Sequence, residues 1–339
     1  MTVLAVDAGR THCRVAVMGQ DRPVAGPVVR DSGVSLADPD GAARLAERIR
    51  AAIAALPPVA PPEALVVAAA GGLTRPEAAA RLADLLADLA PARVMVTSDV
   101  VAAHAGAFAG EAGVVLAVGT GAVALAVAPD GRHALVDGGG WLVGDDGSGF
   151  SIGRAGLAAA LRHVDGRPGG SATLAEAAVA QFAPGAGVRQ ALAALYADPA
   201  PARVASFAPA VAAAARAGDP AATGIWRQAV AQLASTVHTA VAALPDHLRP
   251  TVTVTGALSE VEDLLVAPLR ARLADHVPPV RVRTGETNAL VGAATLARLG
   301  ASAYRTLVYT QGGNTGEDST QGAGLDERRG GAVAHPGRM

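Results

Sequence analysis

One pattern in the sequence occurs twice, and it limits the fold more than anything else does. Residues 3–18, VLAVDAGRTHCRVAVM, and residues 113–128, GVVLAVGTGAVALAVA, each place two short apolar runs around a turn bearing glycine and threonine. Such runs favour strands, and such a turn closes a hairpin. After the first hairpin the periodicity predicts strands at 24–29, 64–70 and 93–97, alternating with helices at 39–56, 76–89 and 99–108. After the second come a strand at 132–136, then helices at 151–164, 174–182, 188–196, 202–216 and 220–244. A strand at 251–255, a helix at 260–274, a strand at 280–283 and a helix at 286–299 follow. A hairpin followed by alternating strands and helices is an α/β pattern, and its recurrence predicts a duplication. The expected architecture is a first unit over 1–108 and a second over 109–305 with a helical insertion at about 151–244. Helix 286–299 should pack back on the first unit, and 306–339, with almost no apolar periodicity, should be a disordered tail.

The basic residues restrict the chemistry. All 28 are arginine and none is lysine, which excludes a Walker A loop, the protein-kinase lysine and any lysine Schiff base. Phosphate must be held by backbone amides, hydroxyls, arginine or a metal ion. A formal net charge of -2 with no basic stripe argues for a small-molecule partner rather than nucleic acid or an anionic membrane. The apolar window 112–128 is interrupted by Gly119, Thr120 and Gly121 and is short of the ~20 residues of a membrane span. Cys13 stands alone, so there can be no intramolecular disulfide, thiolate zinc site or cysteine-held iron–sulfur cluster. With no secretory leader pattern at the N-terminus, a cytoplasmic location is the expectation.

Five segments could carry chemistry. In the turn Asp7-Ala8-Gly9-Arg10-Thr11, amides and the Thr11 hydroxyl could converge on phosphate oxygens while Asp7 holds a hydrated Mg²⁺; alone, it reads more readily as an ordinary hairpin turn. Gly119-Thr120-Gly121 has the same logic and the same alternative. Asp99 follows a strand and opens a helix, where it could be an N-cap or a general base that takes a proton from a hydroxyl at the carboxyl edge of the sheet. The stretch GGGWLVGDDGSG, residues 138–149, offers close backbone approach, Asp145 and Asp146 for sugar hydroxyls or metal, and a helix N-terminus; its spacing is not that of an EF-hand. Thr255-Gly256-Ala257-Leu258-Ser259 could seat adenosine or be a plain strand-to-helix turn. The eight histidines show no metal-ligand spacing, and Trp141 and Trp226 could stack on a ligand or fill the core.

In order and content these segments resemble the BadF/BadG/BcrA/BcrD ATPase family, and within it the N-acetylglucosamine kinases of the actin-like superfamily. The likeness covers about residues 1–305 through VDAGRTHCRVAV, VTSDVVAAHAGA, LAVGTGAVALAV, GGGWLVGDDGSGFSIGRAGLAAAL and VTVTGALS. It implies an actin-like, ribonuclease H-like duplicated fold with an interdomain cleft, using ATP and Mg²⁺ on a small sugar. It also implies roles: Gly9, Arg10, Thr11, Gly119, Thr120 and Gly121 at the phosphates, Asp7 at the metal through water, Asp99 as catalytic base. Gly256, Ala257 and Leu258 would bind adenosine, and Ser35, Gly139, Gly140 and Asp145 the sugar. Arg10, Ser35, Gly139 and Ala122 depart from the residues usual in such kinases. The losses fall in the sugar pocket, so a regulatory protein that has lost activity is the alternative. Activator subunits of the same family need more cysteines than this chain has. A homodimer is compatible with the sequence.

Overall fold

The computed structural model describes residues 1–314 other than 10–11, 20–21, 32–33, 59, 91–92, 198–199, 246, 249, 275–279, 286–288, 300–302 and 312. The repeat in the sequence is a repeat in topology. In the first sheet β1 (Val3–Ala8), β2 (His12–Met18) and β3 (Pro23–Asp31) form an antiparallel meander, and β4 (Ala64–Ala69) and β5 (Val94–Thr97) extend it in parallel from β1. In the second, β6 (Gly113–Val118), β7 (Ala122–Val127) and β8 (His133–Asp137) form the meander, with β9 (Thr251–Thr255) and β10 (Arg281–Thr284) parallel to β6.

Helices cover both faces of each sheet, which is why their central strands are apolar throughout. α1 (Gly41–Ile53) and α2 (Pro76–Leu85) cover the outer face of the first sheet, where Leu4, Val6 and Val67 point. Val3, Ala5 and Val66, the alternate residues, face a middle layer of α3 (Asp99–Phe108) and α11 (Ala289–Leu299), shared with Val115 and Leu125 of the second sheet. Val114, Leu116 and Val118 face the other way, into the largest core, built with the insertion helices. These are α4 (Gly149–Val164), α5 (Ala172–Phe182), α6 (Val188–Ala197), α7 (Pro201–Ala205), α8 (Ala208–Arg216) and α9 (Pro220–Ala242), followed by α10 (Ala267–Ala274). α11 packs on β1 and β4 as well as α3, and Arg298 donates to the Gly19 carbonyl of the first unit at 2.5 Å. Gly292 allows the close crossing of α3 and α11, since a Cβ there would lie 1.8 Å from the Ala102 carbonyl oxygen.

The structure corrects three expectations. The helix expected at 202–216 is two, because Pro209 in the first turn of α8 has no N–H to continue α7. The helix expected at 260–274 is regular only over α10; before it lie a 3₁₀ turn, Ala257–Glu260, and a π turn, Glu262–Val266, next to Pro268. The tail expected at 306–339 is partly ordered. Tyr304 is fully buried, Leu307 and Val308 join the middle core, and β11 (Tyr309–Thr310) pairs antiparallel with the edge strand β5, with β12 (Gly313–Asn314) beside it. A few buried side chains in a short segment are enough to fix an edge strand and leave no periodicity to read. Residues 315–339 lie outside the described residues.

Candidate active site

The parallel register brings two carboxylates to one sheet edge. Asp7 is level with Ala68, and Ala68 with Thr97, so Asp7 and Thr97 are two strand spacings apart, ~10 Å. The chain then turns into α3. Ser98, not Asp99, is the N-cap: it is extended and its hydroxyl accepts from the Val101 N–H at 3.4 Å. Asp99 is therefore the first helical residue, its Oδ1 accepting from the Val100 N–H at 2.9 Å. It keeps accessible surface, although Ser98 and Val100 on either side are buried. Crowding by protein pushes its carboxyl above the ordinary range, the Val100 hydrogen bond opposes this, and the charge of Asp7 adds to it. The accessible side limits the rise.

Asp7 is 7 % exposed and is paired with Arg14, its opposite neighbour on β2. Arg14 Nε donates to Oδ2 at 2.9 Å and a terminal guanidinium nitrogen reaches the same oxygen. Oδ1 has no hydrogen bond among the described residues, so Asp7 retains an acceptor for a metal-bound water. No group of three or more metal-ligating side chains occurs among the described residues. This donor set fits Mg²⁺, which is usually held by phosphate, water and one or two carboxylates rather than by a protein cage.

α3 and β6 pack side by side with a reversal between them, made by Ala109 (φ 50°) and Gly110 (φ 92°). The chain descends ~15 Å along α3 and climbs ~20 Å along β6, which returns Gly119 to the end of the molecule where Asp99 begins. His104 fixes the joint. It is fully buried, its Nε2 lies 3.1 Å from the Gly113 carbonyl and its Nδ1 2.9 Å from the Tyr304 hydroxyl. A carbonyl only accepts, so Nε2 carries the proton and Tyr304 donates to Nδ1. Burial pushes the His104 pKa down to about 4, partly offset by the bond to Gly113.

The second turn is held from behind. Gly149 and Phe150, opening α4, donate to the carbonyls of Gly119 and Thr120 at 2.8 and 3.1 Å, and Gly119 N–H donates to the Gly121 carbonyl at 2.9 Å. The α4 N-terminus thus spends its first amides on the turn. The N–H groups of Thr120 and Gly121 and the Thr120 hydroxyl make no hydrogen bond among the described residues. Asp145 (φ 59°) lies so close that a Cβ on Gly121 would be 2.7 Å from its Oδ2. Its backbone is held by Asp137 (φ 62°), whose two carboxylate oxygens accept from the N–H groups of Asp145 and Asp146 at 2.7 and 2.8 Å.

Next to the turn, Gly256 packs against β6, a Cβ there being 2.5 Å from the Val118 carbonyl oxygen. Gly119, Thr120, Ala257 and Leu258 line one cavity of about 400 Å³, closed on the far side by α7, α8 and Trp226 of α9. That volume is in the range of small-molecule sites.

The expected site residues thus form two groups facing one end of the molecule. Asp7, Gly9, Ser35 and Asp99 lie in or beside the elements of the first sheet, and Gly119 to Gly121, Asp145 and Gly256 to Leu258 beside those of the second; Arg10 and Thr11 lie outside the described residues. Ser35 is 2 % exposed, and its hydroxyl donates to the Ala70 carbonyl at 3.1 Å and accepts from the Ala37 N–H at 3.2 Å, so it secures its own loop. Gly139 and Gly140 are in the loop before Asp145, beside the exposed Trp141, Leu142 and Val143. Sequence reasoning missed Arg14, Asp137 and His104. Arg14 had a signal, since residues flanking a tight hairpin pair in order; the other two are long-range contacts with none.

The structure and parts of the sequence are similar to known proteins. A solved structure titled as a putative N-acetylglucosamine kinase from Chromobacterium violaceum matches with TM-score 0.68 and 25% identity over 87% of this chain and 98% of that one. A second such structure, from Porphyromonas gingivalis, gives 0.66 and 17% over 88% and 99%, a likeness of fold. An N-acetylmuramic acid/N-acetylglucosamine kinase of Clostridium acetobutylicum is 33% identical over 90 residues, 26% of this chain and only 29% of that protein's length. Together with the repeated sheets these matches make the fold the duplicated actin-like one. The sequence profile of one family spans residues 4–297, and the chain belongs to the BadF/BadG/BcrA/BcrD ATPase family.

Proposed function

We propose that the protein transfers the γ-phosphoryl group of ATP to a hydroxyl of an amino sugar of the N-acetylglucosamine type. The observation that carries this reading is the convergence of Asp99, beside Asp7, with the Thr120–Gly121 amides at one end of the molecule. Phosphoryl transfer asks a protein mainly for position and for charge stabilisation. Thr120 and Gly121 supply N–H donors that are unused among the described residues, and Thr120 a hydroxyl, to triphosphate oxygens. The cavity by Ala257 and Leu258 takes the nucleoside. Mg²⁺, held by Asp7 through water, would neutralise charge building on the phosphates. Asp99 accepts the proton of the sugar hydroxyl as its oxygen bonds to the γ-phosphorus and the bond to the ADP oxygen breaks. Asp145, fixed by Asp137, orients the sugar with help from Gly139 and Gly140. The names of the similar kinases support the substrate class.

A second reading, a nucleotide- and sugar-binding regulator, draws on Ser35, whose hydroxyl is spent on backbone rather than left for a sugar. Sugar-dependent ADP release, measured with Mg²⁺ across a panel of amino sugars and hexoses, separates the two. Release that rises with one amino sugar supports the kinase; saturable sugar and ATP binding without release supports the regulator.

A further inference from the structure

The cavity beside the second turn has a cation at its mouth. Ala208, Ala212 and Arg216 all line the cavity, and at intervals of four they share one face of α8, so Arg216 leaves the helix on the cavity side. Ala205, just before α8, sits at the other end, where a Cβ on Gly149 beside the second turn would be 3.6 Å from its own. The helix from Ala208 carries Arg216 ~12 Å from that start. The opposite wall runs the same way: Gly256 packs against β6 at the second turn, Leu258 and Val261 line the cavity, and Asp263 follows. Arg216 spans to it, Nε donating to one carboxylate oxygen and a terminal nitrogen to the other, both at 2.7 Å. Those bonds hold the Asp263 carboxyl pKa down at about 2, so the pair stays ionised at neutral pH. A half-exposed pair of this kind adds little to stability. Both bonds lie in the guanidinium plane, so they fix that plane without using its faces.

We infer that Arg216 stacks a face of its guanidinium on the base of the nucleotide while Asp263 holds that plane still, with the phosphates at Thr120 and Gly121. This rests on the ATP reading above and adds to it the side chains that hold the base. The guanidinium face offers charge over a flat, weakly hydrated surface, to which an aromatic ring is matched. The apolar wall of Ala208, Ala212, Leu258 and Val261 takes the rest of the ring. Asp263 acts through Arg216 and is a positioning residue.

Arg216→Met keeps an apolar stem and removes the charged plane. In calorimetry with Mg²⁺ and no sugar, the variant should bind ATP ~3- to 10-fold more weakly, the size of one such stack. It should bind inorganic tripolyphosphate, which has no base, as the wild type does. Asp263→Ala should weaken ATP by a smaller factor and add nothing to Arg216→Met in the double variant. Neither substitution should much change the melting temperature of the nucleotide-free protein. ATP bound equally well by Arg216→Met, tripolyphosphate weakened as much as ATP, or losses that add in the double variant overturn the inference and leave the kinase reading intact. If Arg216→Met does not fold, Asp263→Ala decides, and ATP bound by it as tightly as by the wild type refutes the stack. Absence of any ATP binding to the wild type overturns instead the reading on which it rests.

Discussion

In the first unit the carboxylate at the turn, Asp7, belongs to the strand itself and is neutralised by Arg14 directly across the hairpin. In the second unit the strand entering the turn has no acid. The carboxylate there is Asp145, brought in from a distant loop and seated against Gly121 by a third carboxylate, Asp137. The same hairpin, in sheets of the same topology, has therefore been fitted out by two routes. One uses a neighbour in register; the other uses a loop folded back on the turn. The first unit then keeps an accessible carboxylate, Asp99, at its open edge, while the second offers mainly oriented backbone.

Substitutions can break that division of labour. The largest expected effect is on catalysis. Asp99→Asn should lower the rate of sugar-dependent ADP release by ~10²- to 10⁴-fold, with KM for ATP nearly unchanged, in steady-state kinetics. Asp145→Asn should act mainly through KM for the sugar. Were Asp145→Asn to reduce kcat as far as Asp99→Asn does, the proton acceptor would belong to the second unit and the comparison would fail.

The packing of the second turn comes next. Gly121→Ala drives a methyl group into Asp145 and should cost ~1–3 kcal/mol of stability in urea denaturation. Gly119→Ala places its methyl where no atom lies within 4 Å, so stability should change by no more than ~0.5 kcal/mol, while the added bulk in the cavity raises KM for ATP. Equal destabilisation by the two would mean that Asp145 does not hold the turn. Asp137→Ala tests the other half of that support. It strands two amides, at ~1–3 kcal/mol in total, and should speed hydrogen exchange at Asp145 and Asp146. Asp137→Asn keeps one acceptor and tolerates the left-handed backbone, so its loss should be smaller.

The contrast between the units also explains what could be read from the chain. Both hairpins, the α/β alternation and the helical insertion were visible because strand and helix periodicities are local. Asp7, Asp99 and the second glycine turn were picked out for the same reason: each sits at the end of a strand, where turn chemistry shows in a few residues. Of the two readings of Asp99 only the cap fails, because Ser98 just before it is an equally good cap and the backbone angles decide between them. What stayed hidden depends on tertiary return. Asp137 reads as the end of a strand until its carboxylate is seen under the loop, and His104 as one more histidine until Gly113 and Tyr304 close on it. Ser35 was matched to a sugar contact by position, and its hydroxyl goes to backbone for reasons no motif contains. The ordered segment after Tyr304 was lost because two-residue strands have no period.

The smallest expected effect concerns the stability of the two first-unit carboxylates, and there the sign matters more than the size. A raised carboxyl pKa means that the fold disfavours the ionised form of Asp99. The stability linked to it is fully present below the unfolded pKa of ~4 and is lost as pH rises through the folded value. Above the folded value the wild type carries a carboxylate it would be more stable without, and there Asp99→Asn should melt higher. The gain should fade as pH drops towards ~4, where both proteins are neutral at this position. Asp7→Asn should do the reverse at neutral pH, because it takes away the charge that Arg14 pairs with. Thermal melts of the two variants across that range check both signs at once. A destabilised Asp99→Asn above the folded value would mean that the ionised Asp99 is held by the fold as firmly as Asp7 is, and the open edge would then not be what sets the first unit apart.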